Sequence, residues 1–220
     1  MHLVVAKNYI FWYNISMYSG VKRLLDIVFG VFGLILLVPL SIAVKIAYIA
    51  NGDFDGIFYN QIRIGKDGKK FRMFKFRTMS KNADKKLAEV VNANAKTKAE
   101  YKKNHKLSDD PRITKVGKVI RRLSLDEIPQ SINVLIGQMS LVGNRPYLLR
   151  EKTEMGSYYK PITSVKPGIT GYWQISGRNN LSFKKRLELE KYYSEYASFK
   201  LDCKILFRTL SVVIIGRGAK

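Results

Sequence analysis

27-IVFGVFGLILLVPLSIAV-44 is a run of 18 residues without a charge, and its reading decides the architecture of the chain around it. As a straight helix rising 1.5 Å per residue it reaches about 27 Å, slightly short of the ~30 Å hydrocarbon core of a bilayer. A transmembrane helix is the default reading, and a buried soluble helix is the alternative to it. Pro39 lacks a backbone N–H and clashes with the carbonyl of residue 35, so a kink is expected roughly two thirds of the way along. Lys22 and Arg23 stand before the run and Lys45 after it. Positive charge prefers the cytoplasmic side. A full span therefore strands Lys22 and Arg23 on the far side, whereas a hairpin broken near Pro39 keeps every charge inside. Lys45 and Tyr48 follow in place of a small-residue cleavage site, so a secretory signal peptide fits poorly.

The charge is distributed unevenly about this segment. The 220 residues carry 39 Lys and Arg against 17 Asp and Glu, a net +22. Residues 1–50 hold only Lys7, Lys22, Arg23, Lys45 and one acid, Asp26, which leaves 35 basic and 16 acidic residues, or +19, for the rest. Such an excess suits anionic partners: phosphorylated substrates, anionic lipid or nucleic acid. A single cysteine, Cys203, and two histidines rule out an internal disulfide, a cysteine-based zinc site or a multi-histidine metal centre. Any metal is then a hard cation held by oxygen. Three regions follow. Residues 1–20, rich in Trp, Tyr and Phe, are an interfacial or disordered lead-in. Residues 21–50 form the membrane segment broken near Pro39, and 51–220 the basic remainder.

Within the remainder, 57-IFYNQIRIGKDGKKFRMFKFRTM-79 reads as a β-hairpin, with GKDGK as the turn and FRMFKF alternating cleanly. Phe71, Met73, Phe74 and Phe76 supply packing, and Lys75 and Arg77 are either solvated charges or phosphate contacts. Residues 80–104 are good helix formers with a thin apolar stripe. Pro111 makes 108–112 a loop. From Ile113 to Ile136 the spacing is helical, interrupted by Pro129. The segment 143–146 is a turn presenting Arg145. Residues 165–183, dense in Gly and Pro, form a long loop or several short elements. Residues 183–196 are a short helix, and 199–216 an amphipathic one suited to a membrane interface. The fold class expected is α+β: a mostly helical domain with a small β element, a membrane hairpin and interfacial helices. Neither GxxxxGK[ST] nor GxGxxG after a strand occurs, so P-loop and nicotinamide-cofactor folds are unsupported.

One stretch runs against the basic background. In 121-RRLSLDEIPQSINVL-135, Asp126 and Glu127 are adjacent among leucines, isoleucines and arginines, where repulsion and apolar surroundings both oppose ionisation. With Pro129 in a first helical turn, the pair lies near a helix N-terminus, whose free N–H groups favour anions.

The ordered signatures KRLLDIVFG at 22–30, KFRTM at 75–79, DDPRITKVGKVIRRLSLDEIPQSINVLIGQMSLVGNRP at 109–146 and VKPGITGYWQISGRN at 165–179 closely resemble the monotopic polyprenyl-phosphate phosphoglycosyl transferases of bacteria. The resemblance covers roughly residues 20–217. It implies transfer of a sugar 1-phosphate from a UDP-sugar to undecaprenyl phosphate, releasing UMP and starting a capsule, exopolysaccharide, lipopolysaccharide or glycoprotein glycan. It implies further that Asp126 is a nucleophile forming a covalent phosphosugar intermediate, and that Glu127 helps to bind Mg²⁺. Lys75, Arg121 and Arg145 match the family's supporting cations. To these are added Arg77, Arg122, Gln174 and Arg178, for which a surface charge or a loop-stapling hydrogen bond is the competing account. The resemblance also places a re-entrant helix in the inner membrane with the catalytic domain on the cytoplasmic face. It is compatible with a homodimer, with anionic lipid as a partner and with no nucleic acid. The segment 171–183 leans toward galactose or glucose.

Two departures stand out. Asn144 replaces the proline of the usual VGPRP, from which a slightly looser loop is expected. Val38 replaces the serine of the usual Ser-Pro break and removes a hydroxyl that ties down a freed carbonyl. Two other classes compete. A membrane-tethered nucleic-acid-binding protein accounts for the charge but not for the Asp126–Glu127 pair, and no nucleic-acid-binding pattern is present. A non-catalytic scaffold of a polysaccharide assembly complex tolerates loss of Asp126 while still needing the apolar segment.

Overall fold

The computed structural model describes residues 2–104, 107, 110–177 and 181–215. Side chains are described over 17–211 within those bounds, apart from 84, 96, 100 and 102–104. A single helix, α1 (His2–Ala50), takes in both the lead-in and the apolar run. It continues through Pro39, so the segment is not divided into two helices as the sequence suggested. Ser41, two residues after the proline, donates to Leu37 O at 2.6 Å. This i−4 hydroxyl bond commonly accompanies a gentle bend.

α1 is two-sided. Asp26, Gly30, Gly33, Leu37, Leu40, Val44 and Tyr48 recur every three or four residues along the face turned to the rest of the protein, while Val28, Phe32, Ile35, Val38, Ile42 and Ile46 are exposed. Met17–Ala50 is long and apolar enough to cross a membrane, yet one side of it is docked. Gly30 and Gly33 permit that docking: a Cβ there would fall 2.8 Å from the Leu135 side chain and 2.7 Å from Ser131 Cβ. Both ends of the apolar run are pinned as well. Lys22 Nζ ion-pairs with Asp202 and donates to Val142 O, and Asp26 accepts from Ser140 Oγ and Leu141 N. At the other end Lys45 donates to the carbonyls of Phe54 and Asp55, and Tyr48 OH to Arg77 O.

Strands β1 (Phe58–Ile64) and β2 (Lys70–Phe76) form the expected antiparallel hairpin, closed by a turn with Asp67 and Gly68 at positive φ. Its second strand feeds two cores, one from each face. Phe76 packs with Leu37, Val44 and Tyr48 of α1 and with Val116 and Ile120. Phe71 and Met73 pack with Val134 and Met139. Residues 80–104 form α2 (Ala83–Ala93) and α3 (Ala95–Asn104), separated by Asn94 in extended conformation.

The stretch read as helical over 113–136, with an interruption at Pro129, is three pieces. α4 (Lys115–Arg122) begins at Thr114, whose Oγ1 accepts from Gly117 N, and ends at Ser124 in left-handed conformation. A 3₁₀ turn covers Leu125–Glu127, and α5 (Gln130–Leu135) starts after Pro129. The break thus falls before the acidic pair as well as after it. α5 has six residues, so Asp126 and Glu127 do not sit in the field of a long helix. β3 (Ser140–Val142) pairs in parallel with β4 (Gly168–Thr170). Between them lie α6 (Lys152–Met155) and α7 (Tyr159–Thr163). After them come α8 (Tyr172–Ile175), α9 (Phe183–Tyr196) and α10 (Phe199–Ile215). Over the described residues the fold is therefore mostly helical with two small sheets.

Candidate active site

Asp126 and Glu127 lie on the 3₁₀ turn between α4 and α5, facing β2. The facing residue is Lys75, whose Nζ is 3.3 Å from Asp126 Oδ2 and 3.2 Å from Glu127 Oε1. One ammonium group thus spans both carboxylates and offsets the repulsion noted in the sequence. The side chains keep 16% and 33% of their exposure, so both acids are reachable from outside. Asn133, fully buried, fixes this arrangement: its amide accepts from Phe74 N at 3.0 Å and donates to Arg72 O at 2.8 Å, bolting the free edge of β2 to α5. The polar Asn133 in the apolar periodicity of 123–136 was the signal, and the sequence reading passed over it.

The remaining expected residues divide. Arg121 stands at the end of α4 with its Nε donating to Thr78 Oγ1 at 2.9 Å, beside the strand that carries Lys75. Arg122 is exposed on the same helix end. Arg77 is employed differently from the phosphate contact expected of it. Its guanidinium holds both oxygens of Asp53 at 2.8 and 2.9 Å and donates to Gly56 O. It also covers the Tyr48 ring at 4.3 Å. These bonds hold the Asp53 carboxyl below the usual carboxylate range, and Arg77 is the joint between the hairpin and the end of α1. Gln174 donates to Ile169 O at 3.2 Å, the loop-stapling role. Arg178 lies outside the described residues.

Arg145 is presented from a turn built by close backbone contact. A Cβ on Gly143 would meet Lys166 O at 2.3 Å, one on Gly168 would meet Gly143 N at 2.1 Å, and one on Gly171 would meet Gly143 O at 2.3 Å. Only glycine lets the 142–144 and 166–171 backbones approach this closely. Asn144 does not loosen the turn as expected: buried, it donates to Ile162 O at 2.9 Å and Ser194 Oγ at 2.7 Å, tying the turn to α7 and α9. Glu190 of α9, also missed, accepts from Arg145 N at 2.9 Å and Tyr147 OH at 2.6 Å, and its burial pushes its pKa up to about 7.

Chemically, the pair offers two accessible carboxylates beside a fixed cation. No group of three or more His, Cys, Asp or Glu able to hold a metal occurs among the described residues. Two carboxylates do fit the usual mode of Mg²⁺, which takes one or two acids and completes its shell with substrate phosphate and water.

Sequence comparison bears on which reaction such a pair serves. The chain is 40% identical over 198 residues to the exopolysaccharide production protein ExoY of Sinorhizobium fredii (strain NBRC 101917 / NGR234), covering 90% of this chain and 87% of that one. It is 40% identical over 198 residues to the undecaprenyl-phosphate galactose phosphotransferase of Salmonella typhimurium, and 36% identical over 208 residues to the UDP-glucose:undecaprenyl-phosphate glucose-1-phosphate transferase of Klebsiella pneumoniae. Each of these two alignments takes in 90% of this chain but only 41% of the longer relative. The profile of the bacterial sugar transferases matches residues 17–216, and the chain belongs to that family of enzymes.

Proposed function

We propose that this transferase moves a sugar 1-phosphate from a UDP-sugar to undecaprenyl phosphate, with UMP as the leaving product, at the start of a polysaccharide or glycoconjugate. The observation that carries the reading is the Asp126–Glu127 pair bridged by Lys75 in a chain this similar to named undecaprenyl-phosphate sugar phosphotransferases.

In this account an Asp126 oxygen attacks the phosphorus that bears the sugar, and the bond from that phosphorus to the bridging oxygen breaks as UMP leaves. An oxygen of undecaprenyl phosphate then attacks the same phosphorus, and the carboxylate of Asp126 is regenerated. A carboxylate is a weak nucleophile, so aim and charge neutralisation do most of the work. Lys75 fixes the two acids in one orientation. Glu127 and Asp126 are the residues that would hold Mg²⁺. When bound, the ion neutralises diphosphate charge as a Lewis acid. Arg121, Arg122 and Arg145 add cationic contacts, for which the planar guanidinium is well matched to phosphate. The names of the relatives make galactose or glucose the sugars to test first.

We further place the exposed side of α1 in one leaflet of the cytoplasmic membrane, with the globular part on the cytoplasmic face. The engagement of Lys22 and of Lys45, at opposite ends of the apolar run, with the same globular body supports a one-sided arrangement. The direct test is UMP release by detergent-solubilised protein with Mg²⁺, undecaprenyl phosphate and a panel of UDP-sugars, run beside Asp126→Asn. Release that depends on one sugar and vanishes in the variant is expected. Equal behaviour of the two proteins, both folded, overturns the nucleophile.

A further inference from the structure

The outer edge of β1 is open, whereas that of β2 is closed. The register between the strands is unbroken, and the Phe74 N–H and the Arg72 C=O turn away from β1 to Asn133. In an antiparallel pair both backbone groups of a residue point to the same side, and the side alternates along the strand. Tyr59 with Lys75 and Gln61 with Met73 are therefore the hydrogen-bonded pairs, and the N–H and C=O groups of Phe58, Asn60 and Ile62 point outward. Among the described residues none of those six groups has a hydrogen-bond partner. Ile64, the next outward residue, differs: its N–H donates to Tyr147 O at 2.9 Å. The free edge is thus confined to 58–62.

This edge is also unprotected. Free edges are ordinarily blunted by charge, proline or a bulge. Residues 56–62, GIFYNQI, contain neither a charge nor a proline in a chain of net +22, and the strand has no bulge. Phe58, Tyr59 and Ile62 are 53, 48 and 41% exposed, with exposed Asn60 among them. Open backbone groups between exposed apolar side chains take up an extended segment as an added strand. Symmetry says which segment fits. The outward residues are spaced evenly about Asn60, so a second β1 running antiparallel sets Phe58 against Ile62, Asn60 against Asn60 and Ile62 against Phe58. Six hydrogen bonds then satisfy the outward groups of both strands. Phe58 against Ile62 is a favourable aromatic and β-branched pair, and Tyr59 stands opposite Gln61 on the other face. Two copies of net +22 repel one another in general, but 58–62 opposes no like charges across the seam.

We propose that the free edge of β1 is the contact surface between two copies of this chain, joined across a twofold axis at Asn60, so that two hairpins make one four-stranded sheet in the order β2–β1–β1–β2. The axis is perpendicular to the sheet. Equivalent elements of the two copies therefore stay on the same side of it, as two α1 helices that share one membrane require. Pairing ends at Ile62, because Tyr147 occupies the edge at Ile64. With strands about 4.8 Å apart and residues rising about 3.4 Å, the two Lys75 positions fall about 16 Å from each other. The two acidic pairs become neighbours, each built from its own chain. The contact does not depend on the reaction assigned to them.

Cysteine trapping reads the seam residue by residue. Cys203→Ser removes the one native cysteine. On that background Asn60→Cys and Ile62→Cys are compared in the full chain by oxidising cell membranes and running non-reducing gels. Across a hydrogen-bonded pair the two Cα atoms at position 60 stand about 5.5 Å apart, within disulfide reach. The two at position 62 are four residues out of register, about 14 Å apart and beyond reach. A homodimer band at least tenfold stronger from Asn60→Cys than from Ile62→Cys is expected. Equal bands signify random collision and overturn the proposal, as does a band from neither variant or from Ile62→Cys alone. Cross-linking of Asn60→Cys to a different protein gives the edge to another kind of partner and overturns it too. Charge reversal supplies a second measurement. Asn60→Lys and Asn60→Asp, each melting as the parent does, should be monomeric by light scattering in detergent where the parent is dimeric, and co-expression of the two should restore the dimer. A monomeric parent, variants that dimerise as the parent does, or a co-expressed pair that stays monomeric refutes the seam.

Discussion

Replacing Asn133 by leucine tests how the acidic pair and its lysine are held together. Leucine has the same number and branching of side-chain heavy atoms as asparagine, so the change opens no cavity, but it strips three hydrogen bonds: Phe74 N to Oδ1, and Nδ2 to Arg72 O and to Gln138 Oε1. Asn133 has no solvent exposure, so water does not readily replace what is lost. A hydrogen bond contributes about 1 kcal/mol net, and a buried group left unpaired costs about 1–3 kcal/mol. Three such losses amount to about 3–6 kcal/mol. For a chain of this size 1 kcal/mol corresponds to roughly 2–4 °C, so a drop in Tm of about 10 °C is expected. It should be followed by circular dichroism on protein in detergent. Lys75 follows Phe74 directly, so UMP release should fall further than the folded fraction does. A shift below about 2 °C with full activity would refute the claim that this amide positions β2 against α5.

Three further expectations follow from the same geometry. Gly117→Ala puts a Cβ about 2.0 Å from Thr78 O; α4 must shift, Arg121 loses Thr78, and both Tm and kcat should fall, whereas an unchanged melt contradicts the close packing. Arg77→Ala and Asp53→Ala should each lower Tm, with a double-mutant coupling of about 1 kcal/mol or more and an unchanged KM for the donor; a raised KM with normal Tm returns Arg77 to the substrate. Glu190, raised to about 7 from 4.5, keeps its proton longer in the folded chain than in the unfolded one, so its contribution to stability is full below about pH 4.5 and is lost as pH rises to about 7. Melting curves between pH 4.5 and 8 should therefore show a shallower decline for Glu190→Gln than for the parent, and identical slopes count against the buried proton.

The hairpin and the acidic pair were legible because their signals are local: apolar residues interleaved with cations in FRMFKF, a GKDGK turn, two acids among basic and apolar residues. The extent of α4 was less so. Ser124 in left-handed conformation carries no glycine or asparagine to announce it, and the apolar spacing runs on through the break. Pro39 suggested a break in α1, but the helix continues there, with the apolar run docked through Gly30 and Gly33 and pinned at its two ends. Arg77 and Lys75, two residues apart in sequence, looked alike. Asp53, 24 residues earlier in sequence, separates their roles, and no local pattern reveals a partner at that distance.

The central claim is that the sugar phosphate passes through Asp126. The measurement that tests it most directly is incubation of the protein with Mg²⁺ and a UDP-sugar labelled in the phosphate next to the sugar, without acceptor, followed by peptide mapping. The account predicts label on the peptide containing Asp126, released on adding undecaprenyl phosphate and absent in Asp126→Asn. UMP release that requires the acceptor to be present, with no label retained by a protein that turns over normally, would contradict it.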